Sequence, residues 1–129
     1  MPHTHLLGKR WEANTQGPDE FDCWGLVRYW YRTQLTVNLP ESPVNAMDLR
    51  AVVIELDRAA KSSVWEEVQV GSPNQVIAMG KNGRISHVGI CLGGGYVLHC
   101  TREGGGVIVQ TISQLQRRWS TLKIYSYKG

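Results

Sequence analysis

The residues of this chain best equipped for chemistry are one cysteine, Cys23, and two histidines twelve positions apart, His87 and His99. A thiolate attacks carbonyl carbon, and an imidazole carries protons near neutral pH. Together they suit acyl transfer. Cys23 attacks a carbonyl, and His87 takes the thiol proton and later gives one to the leaving amine. His99 bonds the other ring nitrogen of His87 and fixes its tautomer and direction. The backbone N–H of Cys23 helps bind the oxyanion. No cofactor is required. The same side chains are also three zinc ligands by type, but no close pair such as Cys-x-x-Cys or His-x-x-x-His supports a metal, and none is expected. Asp22, Trp24 and Gly89 flank these groups and are the candidate substrate-contacting residues.

For Cys23 to act, an element must hold it at an exposed end. Gly17, Pro18 and Asp19 signal a turn, and from Cys23 the apolar positions Leu26, Val27, Trp30 and Tyr31 recur at helical spacing. The pattern predicts a helix from about Cys23 to Gln34 with Asp22 as its N-cap. A thiol in the first turn meets unpaired N–H groups and the positive end of the helix dipole, both of which favour thiolate. A small buried hydrophobe is the other reading of Cys23.

The two His need a shared sheet face. Ser86–Leu92 and Tyr96–Thr101 read as strands around Gly93, Gly94 and Gly95. With a three-residue loop, Leu92 opposes Tyr96 and Gly89 opposes His99, leaving His87 diagonal to His99 on one face. A two-residue loop would separate the imidazoles, unless a bulge restored the register. Gly89 beside His87 leaves the approach to the ring open. Cys91 and Cys100 fall on opposite strand faces and read as packing residues, as do Trp30 and Trp119.

Around these lies an α+β pattern. Residues 1–20 read as an irregular N-terminal arm that packs Leu7 and Trp11 onto the domain. A second helix, capped by Asn45, carries a stripe at Leu49, Val52, Val53, Leu56 and Ala60. The remainder reads as strands: Val64–Val68, Gln75–Met79, a hairpin turn at Asn82-Gly83, the two His strands, Val107–Thr111 and Leu122–Tyr127, with a helical turn capped by Ser113 before the last. Two helices followed by an antiparallel meander predict helices packed on one face of the sheet.

The 129 residues suit a single domain, and 42% hydrophobic with 19% charged residues is an ordinary globular composition. No apolar run is long enough to insert in a membrane. The formal charge of +3 is spread thinly, which argues against a nucleic-acid footprint. Three cysteines do not make a disulfide scaffold. The start Met1-Pro2-His3-Thr4-His5 lacks signal-peptide features, so cytoplasmic synthesis is expected, with export only by another machine.

Three blocks in order resemble the NlpC/P60 cysteine peptidases of the papain-like superfamily. They are Asp22-Cys23-Trp24-Gly25-Leu26-Val27, Ser86-His87-Val88-Gly89-Ile90-Cys91-Leu92-Gly93 and Val97-Leu98-His99-Cys100. The resemblance covers roughly residues 6–127. It implies the papain-like NlpC/P60 fold, with Cys23 as nucleophile, His87 as base and His99 as the orienting third residue. The implied substrate is a peptidoglycan stem peptide, cut at the γ-D-glutamyl to diamino acid bond. Trp24, Arg28-Tyr29-Trp30-Tyr31, Leu39-Pro40 and Gly106-Val107-Ile108-Val109-Gln110 resemble the phage-type branch. That branch implies tail-tip proteins as partners and a place in the virion tail or delivery to the periplasm. It also contains structural assembly subunits, and related chains on this fold carry out deamidation or acyl transfer. Two positions depart from the cell-wall pattern. Trp24 stands where such members carry Ser, and Gly71-Ser72-Pro73-Asn74 stands where they carry Gly-Asp.

Overall fold

The structure, a computed structural model, describes residues 2–39, 54, 58, 61 and 64–129. The second helix expected after Asn45, with its stripe from Leu49 to Ala60, lies outside the described residues. Helix α1 spans Cys23–Leu35. Asp22 caps it through a carboxylate oxygen that accepts from Gly25 N–H at 2.6 Å, and Thr36 ends it in the left-handed region. Its stripe Leu26, Val27, Trp30 and Tyr31 is buried.

The arm is more regular than its sequence suggests. A short 3-10 turn at Thr4–Leu6 leads to β1 (Arg10–Trp11), which pairs in parallel with β2 (Glu20–Phe21). Leu6, not Leu7, is the anchor: Leu6 is 1% exposed and Leu7 44%. The turn decides which of two adjacent leucines faces inward, and composition does not record it.

Six strands form one sheet: β3 (Trp65–Val68), β4 (Val76–Lys81), β5 (Arg84–Gly93), β6 (Tyr96–Thr101), β7 (Gly106–Thr111) and β8 (Thr121–Tyr127). Every pairing is antiparallel, in the order β3-β8-β4-β5-β6-β7. The expected meander therefore holds only for β4 to β7. The last strand crosses back and inserts between β3 and β4. There Tyr127 meets Tyr31 and Trp65 edge to face, with centroids 5.7 and 5.1 Å apart.

The β4–β5 turn has Asn82 and Gly83 at φ 55° and 80°, the double positive φ of a type I′ hairpin. The β5–β6 connection is two residues, Gly94 and Gly95, because Gly93 pairs with Tyr96. The register shifts between Cys91 and Gly93, so Leu92 is extra, and beyond it Ile90 opposes Leu98. The bulge thus produces the register that the expected three-residue loop would have given, and Gly89 comes opposite His99.

The two sheet faces carry different cores. Val88, Ile90, Leu98 and Cys100 share one cluster with the α1 stripe. Ile77, Met79, Cys91 and Val97 form another with Leu115 of α2 (Ile112–Arg118). Helix α2 is capped by Thr111 rather than Ser113. The Thr111 hydroxyl accepts from Gln114 N–H at 3.1 Å while Gln114 Oε1 accepts from Thr111 N–H at 2.7 Å, a reciprocal capping box that starts the helix two residues before Ser113. At the outer edge, β7 is covered by the arm: Gly8 N–H donates to Val107 O at 3.0 Å and Val107 N–H donates to Lys9 O at 2.8 Å.

Candidate active site

Cys23 opens α1 and is half-buried. Its position is set by backbone fastenings on both sides. Asp22 N–H donates to Thr15 O at 3.0 Å, and the second Asp22 oxygen accepts from Asn14 N–H at 2.9 Å. Gly25 is required by the same crowding, since a Cβ there would lie 2.1 Å from Thr15 O. At the far end of the helix Trp30 Nε1 donates to Asn74 Oδ1 at 2.9 Å, and the Tyr31 hydroxyl donates to Asn74 O at 2.5 Å. The Pro73-Asn74 turn, which departs from the cell-wall pattern, is thus a bracket for α1.

The thiol is not acidified. Burial pushes it up to about 12, and the Asp22 carboxylate adds to the rise. The N–H groups of Val88, Trp24 and Cys23 itself pull the other way and lose. This reverses the expectation from the helix start. The donors are present, but withdrawal from water and an adjacent carboxylate outweigh them. At rest the site therefore holds a neutral thiol, which needs a base.

The bases stand in a row. His87 Nε2 and His99 Nδ1 are 2.9 Å apart, and His99 Nε2 lies 2.8 Å from Gln110 Oε1. The indole of Trp119 stacks on His87, with centroids 5.8 Å apart and planes 14° from parallel. Both imidazoles are buried. Burial pulls His87 down to about 3, helped by His99 and by the Arg118 charge. Burial also lowers His99, against a raising hydrogen bond from Gln110. Both rings are neutral near pH 7, so each keeps one lone-pair nitrogen.

Asp22, Cys23, His87 and His99 line one cavity of about 540 Å³, whose wall also includes Gln110 and Trp119. Arg102, Glu103 and Arg118 add charge there, with Arg118 3.4 Å from Glu103 and 5.1 Å above the Trp119 ring. Two predicted residues stand elsewhere. Trp24 is half-buried against the α1 core and is not among the lining residues. Gly89 does not line the cavity either. A Cβ there would come within 3.0 Å of His99 Cβ and of Leu98 O, so its bare backbone lets β5 and β6 close up and seat His99. In the sequence Gln110 reads only as the end of a strand pattern and Trp119 as a packing residue, yet both line the site. Gln110 was accessible from alternation once β6 and β7 were paired, because His99 opposes Ile108 and Gln110 lies two further along the same face. Trp119, just past the end of α2, carries no such periodic mark.

A thiol, an imidazole and backbone donors around one cavity are the parts of a nucleophilic acyl-transfer site. The family model described as NlpC/P60 family matches residues 8–124. No curated protein matches the chain. Among solved structures, NlpC1 and NlpC2 from Trichomonas vaginalis are similar, at 19% and 18% identity with TM-scores of 0.69 and 0.70. Each alignment covers 96% of this chain but only 40% and 43% of those proteins, so the chain spans about two-fifths of their length. The NlpC/p60 domain of the peptidoglycan hydrolase SagA is similar at 19% identity and TM-score 0.64, with 95% of this chain and 89% of that domain covered. At these identities the likeness is one of fold.

Proposed function

This chain belongs to the NlpC/P60 family, and on that premise we propose that it is a cysteine peptidase acting on peptidoglycan stem peptides. The observation that carries the reading is the meeting of Cys23, His87 and His99 on one cavity, with the two imidazoles joined at 2.9 Å. In the reaction His87 takes the proton of Cys23, and the sulfur attacks the carbonyl carbon of the scissile amide. The Cys23 backbone N–H at the start of α1 donates to the oxyanion. The C–N bond breaks as His87 returns the proton to the leaving amine. Water then loses a proton to His87 and cleaves the thioester, restoring the thiol. His99 keeps the His87 ring in place throughout.

Finer assignments follow the same reading. The bond cut is the γ-D-glutamyl to diamino acid amide, and the setting is a phage tail or tail-like machine that carries the domain to the periplasm beside tail-tip proteins. What supports the setting is the run of branch-like residues at Trp24, Arg28-Tyr29-Trp30-Tyr31 and Leu39-Pro40. The peptidoglycan substrate draws support from SagA, whose domain the alignment nearly fills. Purified protein incubated with defined muropeptides should release a free diamino-acid amine, and Cys23→Ala should release none. Intact muropeptides after incubation with folded wild-type protein would remove the peptidase reading.

A further inference from the structure

We propose, on the reading of His87 as the base, that Gln110 is a positioning residue: its side-chain carbonyl selects the tautomer of His99 and so leaves Nδ1 of His87 as the lone-pair nitrogen that receives the thiol proton. Three side chains form a diagonal row across three strands. His87 on β5 meets His99 on β6, and His99 meets Gln110 on β7. Each contact holds one proton between two atoms. The Gln110 oxygen only accepts, so His99 Nε2 carries the hydrogen. A neutral imidazole has one N–H, so His99 Nδ1 is a lone pair. His87 must then donate from Nε2, and the neutral His87 ring has no hydrogen left for Nδ1.

The opposite proton order cannot support the reaction. If the amide were turned to donate from its nitrogen, His99 would donate from Nδ1 to His87 Nε2. The only hydrogen of neutral His87 would then sit on Nδ1. Its one lone pair would already be occupied, and protonating it would force two N–H groups against each other at 2.9 Å. In the first order, His87 gains its second hydrogen on Nδ1 and every bond in the row survives. A neutral amide, rather than a carboxylate, ends the row, so the arrangement chooses a tautomer without adding a charge. The charged or titratable groups facing the same cavity are Arg118 from α2, Arg102 and Glu103 from the β6–β7 turn, and Asp22 and Cys23 from the start of α1.

Long-range nitrogen–proton NMR of the histidine side chains reads the order directly. At neutral pH, His99 and His87 should both be protonated on Nε2 and unprotonated on Nδ1. Gln110→Met should mix the tautomers of His99 and lower kcat about tenfold, the size of one neutral hydrogen bond, with KM unchanged. Gln110→Glu should keep the tautomer and move the acid limb of the kcat/KM profile to higher pH, because its carboxylate favours the imidazolium. Nδ1-protonated His99 in the wild type overturns the assignment, as does Gln110→Met with unaltered tautomer and kcat. The tautomer measurement needs no turnover. A protein with the expected order that digests nothing fails as a peptidase only, whereas an active protein with the reverse order fails here alone.

Discussion

Strands β5 and β6 present opposite kinds of order on their two faces. On one, Val88, Ile90, Leu98 and Cys100 pack with the α1 stripe, and what matters is volume. On the other, beyond the small core of Cys91 and Val97, His87 and His99 continue into Gln110 under the Trp119 ring, and there what matters is which atom holds each proton. An error in the first kind of order has a graded cost. An error in the second changes a donor into an acceptor, which is a discrete fault. Cys23 arrives on the helix that packs against the first face, so the site joins a thiol placed by packing to imidazoles placed by hydrogen bonds.

The sharpest way to test this division is to strike each face separately. His87→Ala should lower kcat by about 10²–10⁴-fold, the range for a lost general base. His99→Ala should lose less, and His99→Asn should recover part of that loss, since an amide can still bond a ring nitrogen. Steady-state kinetics on protein checked by circular dichroism reads all three, and equal loss in all would erase the distinction between base and orienting residue. On the apolar face, Leu98→Ala removes a side chain that is 0% exposed. It should cost about 2–5 kcal/mol of stability while turnover per folded molecule stays near wild type. A denaturant melt paired with active-site titration measures both. A large kcat loss at full folding would show that the faces are not independent.

A smaller effect is expected from pH. His87 is held below its ordinary 6.5, at about 3, because the folded state buries it neutral. Between these values the unfolded chain binds more protons than the folded one, so stability rises with pH there. The contribution is complete above about pH 6.5 and is lost as pH falls from 6.5 toward 3. Thermal melts of wild type should fall across that window, and His87→Gln should flatten the part due to this ring. Parallel curves for the two proteins would mean that the buried imidazole is not what acid attacks.

Much of this was legible where information is local. The stripe from Leu26 to Tyr31 marked α1, and Asp22 marked its start. Asn82-Gly83 marked a hairpin, since few other pairs take two positive φ values cheaply. The His pair was legible only conditionally, because alternation fixes faces while the loop fixes register. The bulge at Leu92 replaced the expected loop residue with the same result. What could not be read depended on distant partners. The place of β8 between β3 and β4 leaves no periodic trace. The choice of Leu6 over Leu7 rests on one turn. The thiol's high pKa comes from burial that only the assembled core creates. Trp24, expected at the cleft, is half-buried against the α1 core and does not line the cavity.

The interior position of β8 also sets a timetable. During synthesis Cys23, His87 and His99 all emerge before Thr121, yet the sheet stays in two pieces until β8 pairs with β4 through Ile77 and Ile124 and with β3 through Trp65 and Tyr127. Pairings so distant along the chain form late, after the cost of closing a long loop has been met. The nascent domain therefore holds Cys23, His87 and His99 before β8 is there to join β3 to β4, and a chain that stops short of Thr121 has the α1, β5, β6 and β7 positions of the site without the strand that closes the sheet beside them.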